Sequence, residues 1–334
     1  MKKFCLVTLF LLFGVVSFSQ QNADTLRETA RMFMQQGDLD NAILVLNKAA
    51  ELKPDDVDIL RDQAYANYLR RDFAKAIEIG KVLIEKPNAD VQSFQILGMV
   101  YKAIADYKEA DKLYKKALKK FPESGVLYSE YGDLLATTNN ADAIKMWEKG
   151  IQVDPNISSN YYYASKYYSE KGNALWSVLY GETFVNIESL SQRTIEIKDL
   201  VYYNYKQLFI TDILSNINKK GSPFEKAVAT IYEKLSKVVA EGVTPESLTV
   251  LRTRFILNWY QDDVPKFPFR LFEHQQLLLR QGIFNAYNQW LFGATASTRD
   301  FQFWVNTHEE EMKDFQNYQR SVVYKIPANQ YYPH

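Results

Sequence analysis

Four prolines, Pro54, Pro87, Pro122 and Pro155, stand 33, 35 and 33 residues apart. Small or aliphatic residues recur in phase with them. Ala30, Ala42 and Ala49 lead into Pro54, and Ala64, Ala76 and Leu83 into Pro87. Gly98, Ala110 and Ala117 lead into Pro122, and Gly132, Ala143 and Gly150 into Pro155. Within each set the intervals are 12 (once 11), then 7, then 5 (once 4). A period of this length means that one supersecondary unit is copied along the chain and buries its apolar face against its neighbours. The spacing predicts two antiparallel helices per unit. Small residues mark where two backbones cross closely, and proline ends the second helix because it cannot continue the hydrogen-bond ladder. Larger side chains fill the remaining space: Phe33, Leu39, Leu46, Phe73, Tyr101, Tyr107, Tyr114, Leu135 and Trp147. Short turns such as Gly37-Asp38 and Ala105-Asp106 reverse the chain.

The pattern resembles the tetratricopeptide repeat. The third unit, LGMVYKAIADYKEADKLYKKALKKFP, is close to the consensus of that family, and the four clear units span residues 23–156. A fifth, degenerate unit over 157–188 keeps phase through Tyr161, Tyr168, Gly172 and Phe184, with Ser165, Ser177 and Gly181 at its weaker positions and no closing proline. The fourth unit is one residue short at its turn, around Asn139-Asn140. The resemblance implies an all-α fold. Residues 20–188 form a right-handed α-solenoid, a helical domain or bundle follows over 189–324, and 325–334 is an extended tail. The first helix of each unit then lines a concave surface that takes a partner protein or an extended peptide. In helical phase that surface carries Arg27, Arg31 and Met34, then Arg61, Tyr65 and Tyr68, then Gln95, Met99 and Lys102. Four cations and two tyrosines suit an extended or acidic peptide. Neighbouring Asp24 and Asp58 could equally offset the arginines. Tyr65, Gln92 and Ile96 replace the lysine and asparagine pattern by which chaperone-type repeats grip a terminal carboxylate, so that mode is not expected.

The chain opens MKKFCLVTLFLLFGVVSFSQ. Lys2 and Lys3 precede an almost wholly apolar run from Phe4 to Phe18, and Ser17 and Ser19 have the spacing of a peptidase site. Residues 1–19 read as a secretory signal cut before Gln20, because fifteen helical residues reach only about 22 Å, short of the roughly 30 Å hydrocarbon core. The run, rich in Phe and Leu and ending SFSQ, looks like secretory signals of the Bacteroidetes, which implies export to the periplasm or cell envelope, or secretion. Cys5, the single cysteine, precedes the apolar run, so it is not a lipidation site and leaves with the signal. Disulfides, thiol nucleophiles and cysteine-held metals then drop out.

Charge balances at 40 basic and 40 acidic residues in 334. A neutral chain is not expected to bind nucleic acid. Lys112, Lys115, Lys116, Lys119 and Lys120 read as a solvated outer face. Beyond the repeats, helices are predicted over Ile195–Asn216, Pro223–Ala240, Thr244–Tyr260, Phe269–Phe292 with Gly293 as its stop, and Thr298–Tyr324. Asp262–Pro268 reads as a loop. The Phe269–Phe292 helix is apolar around much of its circumference, yet Glu273, His274 and Arg280 make it too polar to span a membrane. It reads as the centre of the bundle.

Catalytic sets are absent from the sequence. His308 with Glu309, Glu310 and Glu311 lacks the second histidine of an HExxH site, and no glycine-rich phosphate loop or GxSxG elbow occurs. The reading is therefore a non-enzymatic interaction scaffold with no cofactor, no metal, no membrane span and no small-molecule ligand. Two alternatives are glycan binding through Tyr161, Tyr162, Tyr163, Tyr167 and Tyr168, and an enzyme whose pocket joins His274 or His308 to a carboxylate.

Overall fold

A computed structural model describes residues 23–210, 212–262 and 266–332. The expected signal segment, with Cys5 and the cleavage site, lies outside the described residues. Among those described, the regular elements are helical. Five helix pairs come first: α1 (23–35) with α2 (Leu39–Leu52), α3 (Val57–Leu69) with α4 (Phe73–Ile84), α5 (Val91–Ala103) with α6 (Tyr107–Lys120), α7 (Gly125–Thr137) with α8 (Ala143–Val153), and α9 (Ser158–Glu170) with α10 (Ala174–Ile187). The small residues of the repeat are buried, Ala30, Ala42, Ala49, Ala64, Ala76, Ala110 and Ala117 all fully so. The fold is the expected all-α solenoid of helix pairs, continued by further helices.

Each pair turns through a residue with positive φ: Gly37 (78°), Arg71 (65°), Ala105 (56°), Asn139 (55°) and Gly172 (74°). An aspartate or asparagine then starts the second helix by accepting a backbone N–H in its first turn, Asp38 from Asn41, Asp72 from Lys75, Asp106 from Glu109 and Asn173 from Trp176. The fourth pair, with the short turn, is capped differently. Asp142 makes no side-chain cap, and Asn140 Oδ1 instead accepts from the Asp142 N–H at 2.9 Å.

The chain divides into two compact units. One holds the described residues up to Leu127 together with Leu134–Asn139. The other holds Tyr128–Asp133 and the described residues from Asn140 onward. In the first unit the outer lysines are paired rather than clustered for a ligand: Lys112 to Glu109, Lys115 to Asp111 and Lys116 to Glu85, all exposed. The second unit contains all five tryptophans, Trp147, Trp176, Trp259, Trp290 and Trp304.

The later helices of that unit are α11 (Gln192–Leu208), α12 (Ile213–Lys220), α13 (Pro223–Leu235) with a 3-10 turn at Ser236–Val239, α14 (Pro245–Asp262), α15 (Arg270–Arg280), α16 (Phe284–Asn288), a π turn at Gln289–Gly293, α17 (Ala294–Ala296), α18 (Thr298–Thr307) and α19 (Glu309–Ser321). Four expectations are corrected. The long helix over Phe269–Phe292 breaks after Arg280, where Gly282 takes φ +75°. Gly293 is no stop, because the chain passes through it in a π turn with φ −60°. The last helix breaks at His308 and ends at Ser321, three residues early. Ile195–Asn216 is likewise two helices, divided beside Asp212 at φ 71°.

Candidate functional site

The nine residues expected on the concave face fall on α1, α3 and α5 of the first unit. Their arginines are already engaged. Asp62, largely buried, accepts from Arg27 Nε at 2.7 Å and from Arg31 Nε at 2.9 Å. Asp58 pairs with Arg27 at 3.0 Å and with Arg61. Arg61 continues to Asp90 at 2.6 Å and to Gln92 Oε1 at 2.7 Å. The result is a ladder of alternating charge across three successive first helices. The Asp62 hydrogen bond raises the Arg31 pKa above its ordinary value, with a smaller attraction from Glu28. At Asp90, desolvation acts upward but is outweighed by hydrogen bonds from Ser93 and the Arg61 charge, so its carboxyl titrates below the usual range.

The ladder changes the character of this face. Its three arginines arrive neutralised, so it is not a basic stripe awaiting an acidic peptide. Asp58 was legible as a counter-charge, whereas Asp62 and Asp90 were not. Asp24, the other candidate, pairs with Lys53 at 2.9 Å instead. Beside the ladder, Tyr65 is exposed and stacks on Tyr68 at 6.3 Å between centroids. Met34 packs against the Ala30, Ile43, Leu46 and Ala66 cluster. Gln95, Met99 and Lys102 are half-exposed on α5.

The tyrosine cluster of α9 is partly interior, with Tyr163, Tyr167 and Tyr168 half-buried. Tyr161 and Tyr162 are buried, Tyr163 stacks on Trp147 at 5.2 Å, and Tyr161 meets Tyr180 edge-on at 5.8 Å. Tyr168 donates to Glu148 Oε1 at 2.7 Å. These contacts tie Tyr161, Tyr162, Tyr163 and Tyr168 into the packing around α8 and α10.

Neither histidine joins a carboxylate. His274 is buried, and its Nδ1 lies 3.3 Å from the Tyr318 hydroxyl. Burial, aided by the nearby Arg270 and Arg252 charges, lowers its pKa to about 3. His308 is exposed and stacks on Trp304 at 4.4 Å. The Glu311 carboxylate is taken by the Ala286 N–H at 3.0 Å. Sequence reasoning missed a fully buried ion pair. Glu182 Oε1 accepts from Arg252, from Gln275 Nε2 at 2.7 Å and from the Tyr287 hydroxyl at 2.8 Å, with both charged side chains 1% exposed. The Arg252 guanidinium also lies over the Phe292 and Phe284 rings, 5.1 and 5.4 Å from their centroids. Among the described residues no group of three potential metal ligands occurs, and no helix is long and apolar enough to cross a membrane.

The repeated helix pairs define a class of interaction fold, and the comparisons agree on the repeat. A family described as TPR repeat matches residues 30–69, and one described as tetratricopeptide repeat matches residues 92–124. The chain thus carries tetratricopeptide repeats. No curated protein matches it. Among solved structures it is similar to Pseudomonas aeruginosa pilF (15% identity, 62% of this chain and 96% of that one, TM-score 0.49). It is also similar to TTC0263, a thermophilic TPR protein of Thermus thermophilus (14% identity, 54% and 98%, TM-score 0.45). YrrB, titled a TPR protein with an unusual peptide-binding site, is a third (16% identity, 56% and 96%, TM-score 0.40).

Proposed function

We propose that the protein is a non-enzymatic scaffold of the bacterial cell envelope that holds a partner protein or extended peptide on the first-helix face of its repeats. The observation that carries this reading is the ladder from Arg27 to Asp90. It fixes three successive first helices side by side and borders Tyr65, Tyr68, Gln95, Met99 and Lys102. A preordered face binds with little conformational loss. Because its arginines are matched by aspartates, it recognises a peptide by hydrogen bonding and apolar contact rather than by net charge. The amino-terminal segment supports export, with the mature chain starting at Gln20.

A photocrosslinking amino acid placed at Tyr65 or Met99 tests the groove in the native host. The same partner captured from both positions, and not from Lys112 on the outer face, is the expected result. Equal capture from all three sites would sink the groove reading. Mass measurement of the purified native protein checks export, and a chain that retains its first nineteen residues would refute it.

A further inference from the structure

After α19 ends, residues 322–332 run without helix along the second unit. Their side chains alternate: Tyr324 and Ile326 are buried, while Val323 and Lys325 face solvent. This is the signature of an extended segment lying in a groove. The groove reads its backbone. Asn156 Nδ2 donates to the Ile326 carbonyl at 3.1 Å, and the Ile326 N–H donates back to Asn156 Oδ1 at 2.9 Å. Arg270 Nε donates to the Lys325 carbonyl at 3.0 Å. Further on, the Tyr331 hydroxyl bonds to Glu148, whose Oε1 also accepts from Tyr168. Tyr332 stacks on Phe224 at 4.5 Å and donates to the Pro268 carbonyl at 2.7 Å.

The tail is an imperfect occupant. Between it and Tyr161, Trp176, Tyr180 and Phe269 lies a cleft. Among the described residues, two polar atoms at this cleft are buried and find no hydrogen-bond partner, the Tyr324 hydroxyl and Gln330 Oε1. A buried polar group left unpaired opposes docking. The bonds that hold residues 325 and 326, by contrast, go to main-chain atoms that any peptide offers.

We propose that this groove is a docking site for an extended peptide of a partner protein, and that the tail is its resident, displaceable occupant. The partner segment carries two bulky apolar or aromatic side chains two residues apart, matching Tyr324 and Ile326. An aromatic pair begins five residues later, matching Tyr331 and Tyr332. A phenylalanine in the Tyr324 place suits the cleft better than the tyrosine does. The groove is built from residues of the second compact unit and the proposed peptide face from α1, α3 and α5 of the first, so either reading can fail without the other.

The test uses the full chain with a protease site inserted between Val322 and the exposed Val323, folded first and then cut. The probe is a fluorescein-labelled peptide of residues 323–334. Saturable binding to the cut chain is expected, at least tenfold weaker to the uncut chain, whose tethered tail competes at an effective concentration of about millimolar. Asn156→Ala should weaken binding to the cut chain at least tenfold, and a Tyr324→Phe peptide should bind more tightly than the parent. Failure of the probe to enter a cut chain of unchanged ellipticity would overturn the proposal, as would indifference to Asn156→Ala. A displayed peptide library sorted on the cut chain should enrich the stated spacing, and no enrichment over the Asn156→Ala chain would refute it. Exchange of tails between intact chains, with concentration-dependent dimerisation, would assign the groove to a second copy and remove the partner.

Discussion

Three of the five turns inside the helix pairs hold a side chain where glycine is the easier choice: Arg71, Ala105 and Asn139. A left-handed residue with a Cβ costs about 1–2 kcal/mol, while glycine loses up to about 1 kcal/mol more backbone entropy on folding. Ala105→Gly is therefore expected to stabilise the chain by about 0.5–1 kcal/mol, read as a higher urea midpoint. The opposite sign holds where backbones cross. A Cβ on Gly132 would sit 2.3 Å from Trp147 Nε1. That ring is pinned, since it stacks on Tyr163 and its N–H reaches the Ser129 carbonyl at 3.3 Å. Gly132→Ala should cost about 1–3 kcal/mol through overpacking, with a lowered thermal midpoint as the readout. At Gly80 the nearest atom is a flexible Leu97 methyl at 3.0 Å, so the same change there should be milder.

At the scale of elements, α10 and α14 are joined by the Glu182–Arg252 pair. Removing one partner leaves a buried charge alone, so Glu182→Leu and Arg252→Met are each expected to cost about 3–5 kcal/mol. The double variant should cost less than the sum by about 0.5–3 kcal/mol, measured by a denaturation cycle. Strict additivity would show that the two charges do not support each other. This pair was invisible in the sequence because Glu182 and Arg252 lie 70 residues apart and obey no motif. The repeat pairs were legible because small residues at helix crossings leave a fixed period. The break at Gly282 did carry a local signal, a glycine at φ +75° with the Ile283 N–H on the Leu278 carbonyl at 3.1 Å, but apolar residues on both sides of it disguised the stop. The arginines of the first-helix face were legible from helical phase. Their neutralisation by Asp62 and Asp90 was not, because those contacts span 29 to 35 residues. The tail groove was still further from view: Asn156 and Ile326 are 170 positions apart, and the tyrosines at 161–168 and at 331–332 found a shared role only once the chain had folded.

For the molecule as a whole, His274 sets an acid limit. It is neutral in the fold with its pKa at about 3, and the unfolded chain restores it to about 6.5. Between those values the unfolded state binds the extra proton. Stability is therefore full above about pH 6.5 and falls as pH drops towards 3. From pH 7 to pH 5 this one group should remove about 2 kcal/mol, and His274→Gln should flatten that part of the profile, as followed by urea midpoints at each pH. A slope unchanged in the variant would place the acid sensitivity elsewhere. The distribution of tryptophan carries a further consequence. Because every indole belongs to the second compact unit, tryptophan emission sees that unit alone, whereas far-ultraviolet ellipticity sees both. The two optical signals act as separate gauges of the two halves. Where their melting curves part, the gap measures how far the half with the first three helix pairs can come undone while the other still stands.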